Sequence, residues 1–466
     1  MIEQHETTYI EYTTRWTILI ISGLLILTIP LIILRNLSFH YVLLGLTFVV
    51  AIPFFLSVEK IICLLTFYII AFGIPLFKGN LYPVHVNYLI LDLVMVLLFL
   101  LLIGEYSFRK KETIQSSYFS WPFLIFFFIV GLSFLVGLSH RNNLQIMYKE
   151  FRILCYYGVY FVAVKHFQDV KWIKLFSITV IVATLMAAFD YIYTYNSLPT
   201  VRFVSRQVHM FLLVTPFLIS SMILDRNKLR KMVYFVILIP IGISVIISQT
   251  RGTWVSIGIA ILLATFLSLF VRIEGQRKIL SFSFAILTLI IIVFFSLNLI
   301  GRMSKVKREF VETRVESLSN LQIDYSLAMR TNSYLIILKK IKQHLWFGNG
   351  LGDTATYNFF GRYSTQNNVD STYLTILWKM GIAGLVIFLI LYFLLLKRIF
   401  FIYRKTQDIF LRIFSIGVIS TFIAFLTLGT ISPVLITYRF NFIFGVLFAI
   451  TEILTKNWKK EVVKLK

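Results

Sequence analysis

The sequence predicts an all-α polytopic membrane protein of about 12–14 transmembrane helices, with one large external loop containing amphipathic helices. Three observations predict it. Of 466 residues 58% are hydrophobic and only 14% charged, and the mean hydropathy of +0.84 exceeds what a water-soluble domain can bury. Apolar runs of about 18 residues or more recur along the chain, the length a helix needs to cross ~30 Å of hydrocarbon. Lys and Arg fall unevenly on alternate connectors, as they do in multi-span proteins.

The runs are too long and continuous for barrel strands, so helices must satisfy the backbone inside the bilayer. The candidate spans are Trp16 to Leu34, His40 to Ser57, Ile61 to Phe77, Asn87 to Gly104, Trp121 to Leu138 and Phe151 to Val164. Leu175 to Tyr195, Val208 to Leu224, Met232 to Ser248, Gly252 to Val271 and Ile279 to Leu299 follow. Ser371 to Leu396, Ile409 to Leu428 and Val434 to Leu454 complete the set, and a version with one early re-entrant pair has 12. The first run follows an acidic stretch without a small-residue cleavage site, which reads as a retained helix rather than a signal peptide. Three regions result: 1–300 with about 11 spans, 301–370 as an external lid, and 371–466 with three spans and a basic tail.

Direction follows from charge. With both termini cytoplasmic, the inner connectors hold 24 basic residues and the short outer ones seven. The 301–370 segment is then outside, where its ten Lys and Arg do not count because long loops translocate regardless of charge. The net charge of +24 is thus a topology signal, and nucleic acid is not an expected partner. Cys63 and Cys155 sit in apolar runs and suggest neither a disulfide nor a metal cluster, so no metal and no cofactor are expected.

Within the loop, Phe310, Val311, Val315 and Leu318 share one helical face, as do Leu335, Leu338 and Ile341. Amphipathic helices lying on the membrane fit this spacing. Gly348, Gly350 and Gly352 read as a turn, since no Lys-Ser/Thr follows them as in a phosphate loop. The aromatic stretch Tyr357, Phe359, Phe360 and Tyr363 then leads back to the membrane.

Ionisable side chains inside a bilayer are costly, so their depth is informative. Asp92, Arg152, Asp190, Lys379 and Arg439 fall in the outer third of their helices; Glu150, Arg202, Arg206, Arg251 and Asp370 fall at outer ends. Arg412 is the exception, near the opposite face. Each alone reads as an interfacial charge. Together they outline a polar chamber whose arginines Arg152, Arg202, Arg206, Arg251, Arg439 and Arg330 suit a phosphate-bearing ligand. The usual marks of a transporter are midplane binding residues, broken helices and an internal repeat, and no midplane acid or base and no repeat are evident in the sequence.

Two stretches carry a resemblance. Ser248-Gln249-Thr250-Arg251-Gly252-Thr253-Trp254, between two spans, resembles the Ser-x-(Ser/Thr)-Arg-Gly-x-Trp signature of the O-antigen ligase/polymerase superfamily. Arg330, then Trp346 to Gly352, then Asn367 to Gly381 are similar to that family's external loop and the helix leaving it. The resemblance implies a metal-independent glycosyltransferase of the bacterial cytoplasmic membrane, using an undecaprenyl-diphosphate-linked oligosaccharide as donor and a growing glycan chain as acceptor. It also implies a chain-length regulator and a flippase of the same pathway as possible partners. Ligases of the family usually carry His-Asn-x-Tyr where this chain has Asp370-Ser371-Thr372-Tyr373. That difference favours a polymerase over a ligase, with His209 as a candidate substitute for the missing His and a flippase as the alternative of another class.

On this reading Arg251 and Arg330 are the leading candidates to stabilise the departing diphosphate. Arg206, Arg202, Arg152 and Arg439 bind substrate around them, and Tyr373 stacks on sugar. Asp370 serves as general base or, equally well, caps the helix that starts at Ser371.

Overall fold

A computed structural model describes residues 57–71, 92, 94–103, 117–197, 206–248, 250–271, 325–359 and 362–464. The candidate spans Trp16 to Leu34 and Ile279 to Leu299, all of His40 to Ser57 except Ser57, the loop segment 307–321 and Arg202 lie outside them. The chain divides into two units, Met1–Leu65 with Ile74–Glu112, and Thr66–Gly73 with Thr113–Lys466. Helix α1 (Val58–Ala71) begins in the first and ends in the second; α2 (Val94–Ile103) belongs to the first.

The second unit holds the remaining elements. They are α3 (Ser120–Ser139), α4 (Leu144–Cys155), α5 (Val159–His166), α6 (Val170–Ser197), α7 (Phe211–Leu224), α8 (Lys228–Ile247) and α9 (Arg251–Phe270). Helix α10 (Tyr325–Gln343), strands β1 (Ala355–Phe359) and β2 (Arg362–Gln366), α11 (Thr372–Lys405), α12 (Ile409–Leu428) and α13 (Tyr438–Lys464) follow. Among the described residues α3, α6, α8, α9, α11, α12 and α13 are long and apolar enough to cross a membrane. The protein is a multi-pass membrane protein.

Burial sorts these helices into two classes. In α7 every residue except Phe217 is buried, and α7 packs against α9 and α12. Helix α3 instead turns Trp121, Leu124, Ile125, Phe128, Leu135 and Leu138 outward, an apolar face that hydrocarbon would cover. Pro216 in α7 cannot donate to the Leu212 carbonyl one turn back. Thr421 Oγ1, from α12, donates to that carbonyl instead at 3.1 Å. A hydroxyl on the neighbouring helix thus restores the backbone bond that the proline removes.

Three boundaries differ from the sequence expectation. The sixth candidate span starts earlier, at Leu144, where the Asn143 side chain accepts from the Gln145 and Ile146 N–H groups. It is then interrupted by a 3-10 turn over Tyr156–Gly158. The aromatic stretch of the loop is a two-stranded antiparallel hairpin, Ala355 opposite Gln366 through Phe359 opposite Arg362. The span expected over Ser371 to Leu396 is broken at Gly381 (φ 65°, ψ −167°) and runs on to Lys405.

The break in α11 leaves backbone groups that need partners inside the protein. The segment after α10 supplies them. The Asn349 and Gly350 N–H groups donate to the Trp378 and Lys379 carbonyls, and the Leu345 and Trp346 carbonyls accept from Ile382 and Ala383. Gly348, Gly350 and Gly352 all have positive φ. A Cβ at Gly350 would overlap the backbone of Gly137 in α3. The expected glycine turn is therefore a plug set into the kink of a helix.

Helix α10 packs Ile337 and Ile341 against Ala355, Tyr357, Val369 and Trp378. Leu335 and Leu338, expected on the same face as Ile341, are 56% and 41% exposed. The helix has two apolar faces, because its inner stripe is set by Tyr334, Ile337 and Ile341.

Candidate active site

Asp370 stands immediately before α11. Its neighbour Ser371 is the N-cap, with its Oγ accepting from the Leu374 N–H at 3.4 Å. The capping role weighed for Asp370 thus falls to Ser371, and the Asp370 carboxylate, 55% exposed, is left to other partners. Arg330 Nε donates to its Oδ2 at 3.0 Å. The Tyr334 hydroxyl donates to the Asp370 carbonyl at 2.7 Å. Arg330 and Tyr334 are four residues apart on α10, hence on one face of that helix.

The start of α11 is pinned to the turn that follows α12. Thr372 N–H donates to the Gly429 carbonyl at 2.8 Å and Thr372 Oγ1 to the Ser432 carbonyl at 3.0 Å. The Tyr373 hydroxyl donates to the Leu426 carbonyl at 2.6 Å, so it is engaged with the protein's own backbone.

The Ser-Gln-Thr-Arg-Gly-Thr-Trp stretch reaches the same turn. Trp254 Nε1 and Ser248 Oγ both donate to the Val245 carbonyl, at 2.7 and 2.6 Å, which closes the connection between α8 and α9. A Cβ at Gly252 would lie 2.5 Å from Ile431 Cδ1. The start of α9 thus packs against the Ile431 and Leu428 side chains of that turn. Thr253 Oγ1 and His209 Nδ1 share a hydrogen bond of 3.0 Å, so His209 supports the signature turn. Half-buried Arg251 is the first residue of α9, beside these anchors. The starts of α9 and α11 therefore meet at one end of the bundle, joined through residues 426–432.

Arg439, in the first turn of α13, is 7% exposed. Its Nε donates to the Tyr438 hydroxyl at 2.9 Å, while its buried Nη1 has no acceptor among the described residues. An unsatisfied buried donor of this kind costs about 1–3 kcal/mol, more when charged, unless a ligand supplies the acceptor. Two residues on, Asn441 Nδ2 donates to the Ile153 carbonyl, which ties α13 to α4 next to Arg152. The Arg152 guanidinium lies 5.8 Å from the centre of the Tyr148 ring. Arg206 opens a 3-10 turn ahead of α7 and is described in its backbone alone.

Residues 233–389 match a family model described as O-antigen ligase. Over these residues, about a third of its length, the chain is similar to the O-antigen ligase family. No curated protein is significantly similar to it. The matched region holds Arg251, Arg330, Asp370 and Tyr373, whereas Arg152, Arg206 and Arg439 lie outside it.

Lys379 and Glu150, which the sequence placed among the outer charges, pair with each other, and Lys340, Asp353 and Glu452, which it did not single out, form further ion pairs. Lys379 Nζ, on a residue 3% exposed, pairs with Glu150 Oε1 at 3.0 Å and donates to the Asp353 carbonyl. Lys340 Nζ bonds both Asp353 oxygens, at 2.8 and 2.9 Å, and Trp378 Nε1 donates to Oδ2 at 2.7 Å. Glu150 Oε2 accepts from the Gly352 N–H at 2.7 Å. These pairs satisfy one another, so Glu150 and Lys379 belong to the seating of the plug rather than to an open chamber. Far along α13, fully buried Glu452 accepts from Ser117 Oγ and the Tyr160 hydroxyl, both at 2.6 Å. Its i,i+4 spacing to Lys456 was the available signal.

Proposed function

We propose that the protein is a membrane glycosyltransferase that polymerises undecaprenyl-diphosphate-linked oligosaccharide repeat units at the outer face of a bacterial cytoplasmic membrane. The observation that carries this reading is the Arg330–Asp370 pair, held at the bundle end where Arg251 starts α9. In the reaction the sugar C1–O bond to the diphosphate breaks and its electron pair leaves with the phosphate. The acceptor hydroxyl oxygen bonds to C1 and gives up its proton. Arg251 and Arg330 stabilise the departing diphosphate, a task for preorganised cations. Arg439, with its unsatisfied Nη1, adds a third cation, and Arg152, Arg202 and Arg206 are assigned to substrate binding.

Asp370 receives the acceptor proton. Arg330 pairs with the Asp370 carboxylate. A diphosphate that draws Arg330 away frees the carboxylate as the donor arrives, which links base activation to donor binding. The 301–370 segment acts as the lid that makes this exchange possible, and the chain-length regulator and flippase of the pathway are the expected neighbours.

A second reading is a ligase that moves the finished glycan to a separate acceptor. The matching family model, described as O-antigen ligase, is compatible with both. Incubating the purified full chain with one defined lipid-linked repeat distinguishes the two. Polymer formed without any added acceptor supports the polymerase; absolute dependence on a second acceptor overturns it in favour of the ligase. Transbilayer movement of the donor without any new glycosidic bond would sink both.

A further inference from the structure

Arg412 stands apart from the other membrane-embedded charges. It lies in the first turn of α12, at the opposite end of the bundle from Asp370, because α9, α11 and α12 each run from one end to the other. At 1.5 Å per residue, the 20 residues of α9 put about 30 Å between the two ends. A cavity of about 660 Å³ opens there. Arg404, Gln407 and Arg412 line it together with Phe266, Phe270 and Phe400.

The walls are fixed. The Tyr403 hydroxyl donates to the Leu267 carbonyl at 2.9 Å, joining α11 to α9. Arg412 Nε donates to the Thr406 carbonyl at 2.7 Å, which holds its guanidinium in place and leaves Nη1 for a ligand. The neighbouring carboxylate, Asp408, accepts from the Leu411 N–H as the cap of α12. Among the described residues neither Arg404 nor Arg412 has a carboxylate partner.

We propose that this cavity binds the phosphate headgroup of an anionic phospholipid. Two guanidiniums suit a phosphate, and basic pockets between spans are a recurrent form of headgroup site. The apolar wall decides between a lipid and a soluble anion. Phe266 and Phe270 are 57% and 66% exposed on the outward side of α9, and Phe400 is 44% exposed on α11. Acyl chains below a bound headgroup would cover them, whereas free phosphate would leave them bare. The site is separate from the transfer reaction and does not depend on it.

The test is native mass spectrometry of the detergent-solubilised full chain with equal amounts of phosphatidylglycerol or phosphatidylcholine. Phosphatidylglycerol adducts should predominate. Arg404→Gln should lower them roughly fivefold, and Arg404→Gln with Arg412→Gln further still. Because Arg412 also supports the backbone, the exposed Arg404 alone keeps the test valid if the double variant unfolds. Equal retention of both lipids, or undiminished phosphatidylglycerol in Arg404→Gln, overturns the proposal. Displacement of the lipid by inorganic phosphate at matched concentration overturns it too, in favour of a soluble anion.

Discussion

Arg330 Nε donates to Asp370 Oδ2 at 3.0 Å, so the leading cation and the leading carboxylate of the site neutralise each other across the boundary between α10 and α11. An ion pair this exposed contributes little to folding, about 0–1 kcal/mol. Removing a cation that stabilises a developing negative charge costs about 10²–10³ in turnover. The two effects therefore separate. Arg330→Ala should leave the thermal midpoint nearly unchanged while polymer disappears and lipid-linked single units accumulate. Asp370→Asn should lower kcat with donor binding retained, since it removes the proposed base and not the proposed cations. A drop in thermal midpoint matching the loss of activity would make the pair structural.

Gly381 carries the break in α11, and its φ of 65° with ψ of −167° is open to glycine alone. A Cβ there would also overlap the Trp346 backbone. Gly381→Ala should cost about 3 kcal/mol or more and expose the 346–352 segment to protease, because strain and displacement of the plug act together. Gly131→Ala in α3 is the contrasting case. Nothing lies within 4 Å of a Cβ at Gly131, so the change should be neutral or stabilise by about 0.5–1 kcal/mol. Limited proteolysis and thermal unfolding in detergent compare the two.

What the sequence revealed depended on the range of the forces involved. Span existence follows from local hydropathy, and the helices α3, α6, α8, α9, α12 and α13 stand close to the expected runs. The sequence placed Arg251 and Asp370 at helix boundaries, and Arg251 is the first residue of α9 while Asp370 stands just before α11. The kink at Gly381 was not, since a lone glycine in an apolar run gives no hint that residues 345–350 will satisfy its backbone. The Glu150–Lys379 pair joins residues 229 apart, and no periodicity carries that information. The hairpin was hidden because Tyr357 and Val369 obtain their burial from α10, a tertiary partner.

The Thr421 hydroxyl offers a test of backbone satisfaction inside the bilayer. Thr421→Val preserves shape but leaves the Leu212 carbonyl, freed by Pro216, without its donor. An unsatisfied buried acceptor costs about 1–3 kcal/mol. Replacing Pro216 by Ala in the same chain restores the N–H and should recover most of that loss. If Thr421→Val is equally harmful in both backgrounds, the hydroxyl acts through something other than the Leu212 carbonyl. Thermal unfolding of the four chains reads this out.

Lys379 and Glu150 form the most buried ion pair of the plug, with side chains 4% and 16% exposed. Breaking such a pair from one side leaves an uncompensated charge and costs about 3–5 kcal/mol. Lys379→Met should therefore strand Glu150, and Glu150→Gln should strand Lys379, each with loss of folded protein. The double variant removes both charges, so its cost should fall well below the sum of the two. Lys379 also donates to the Asp353 carbonyl, and Glu150 accepts from Gly352, so some loss should remain in the double variant. Because Asp370 and Arg330 lie on the elements that this pair seats, residual activity should follow the folded fraction. Activity lost in the double variant at full folding would instead place Lys379 or Glu150 among the groups that touch substrate.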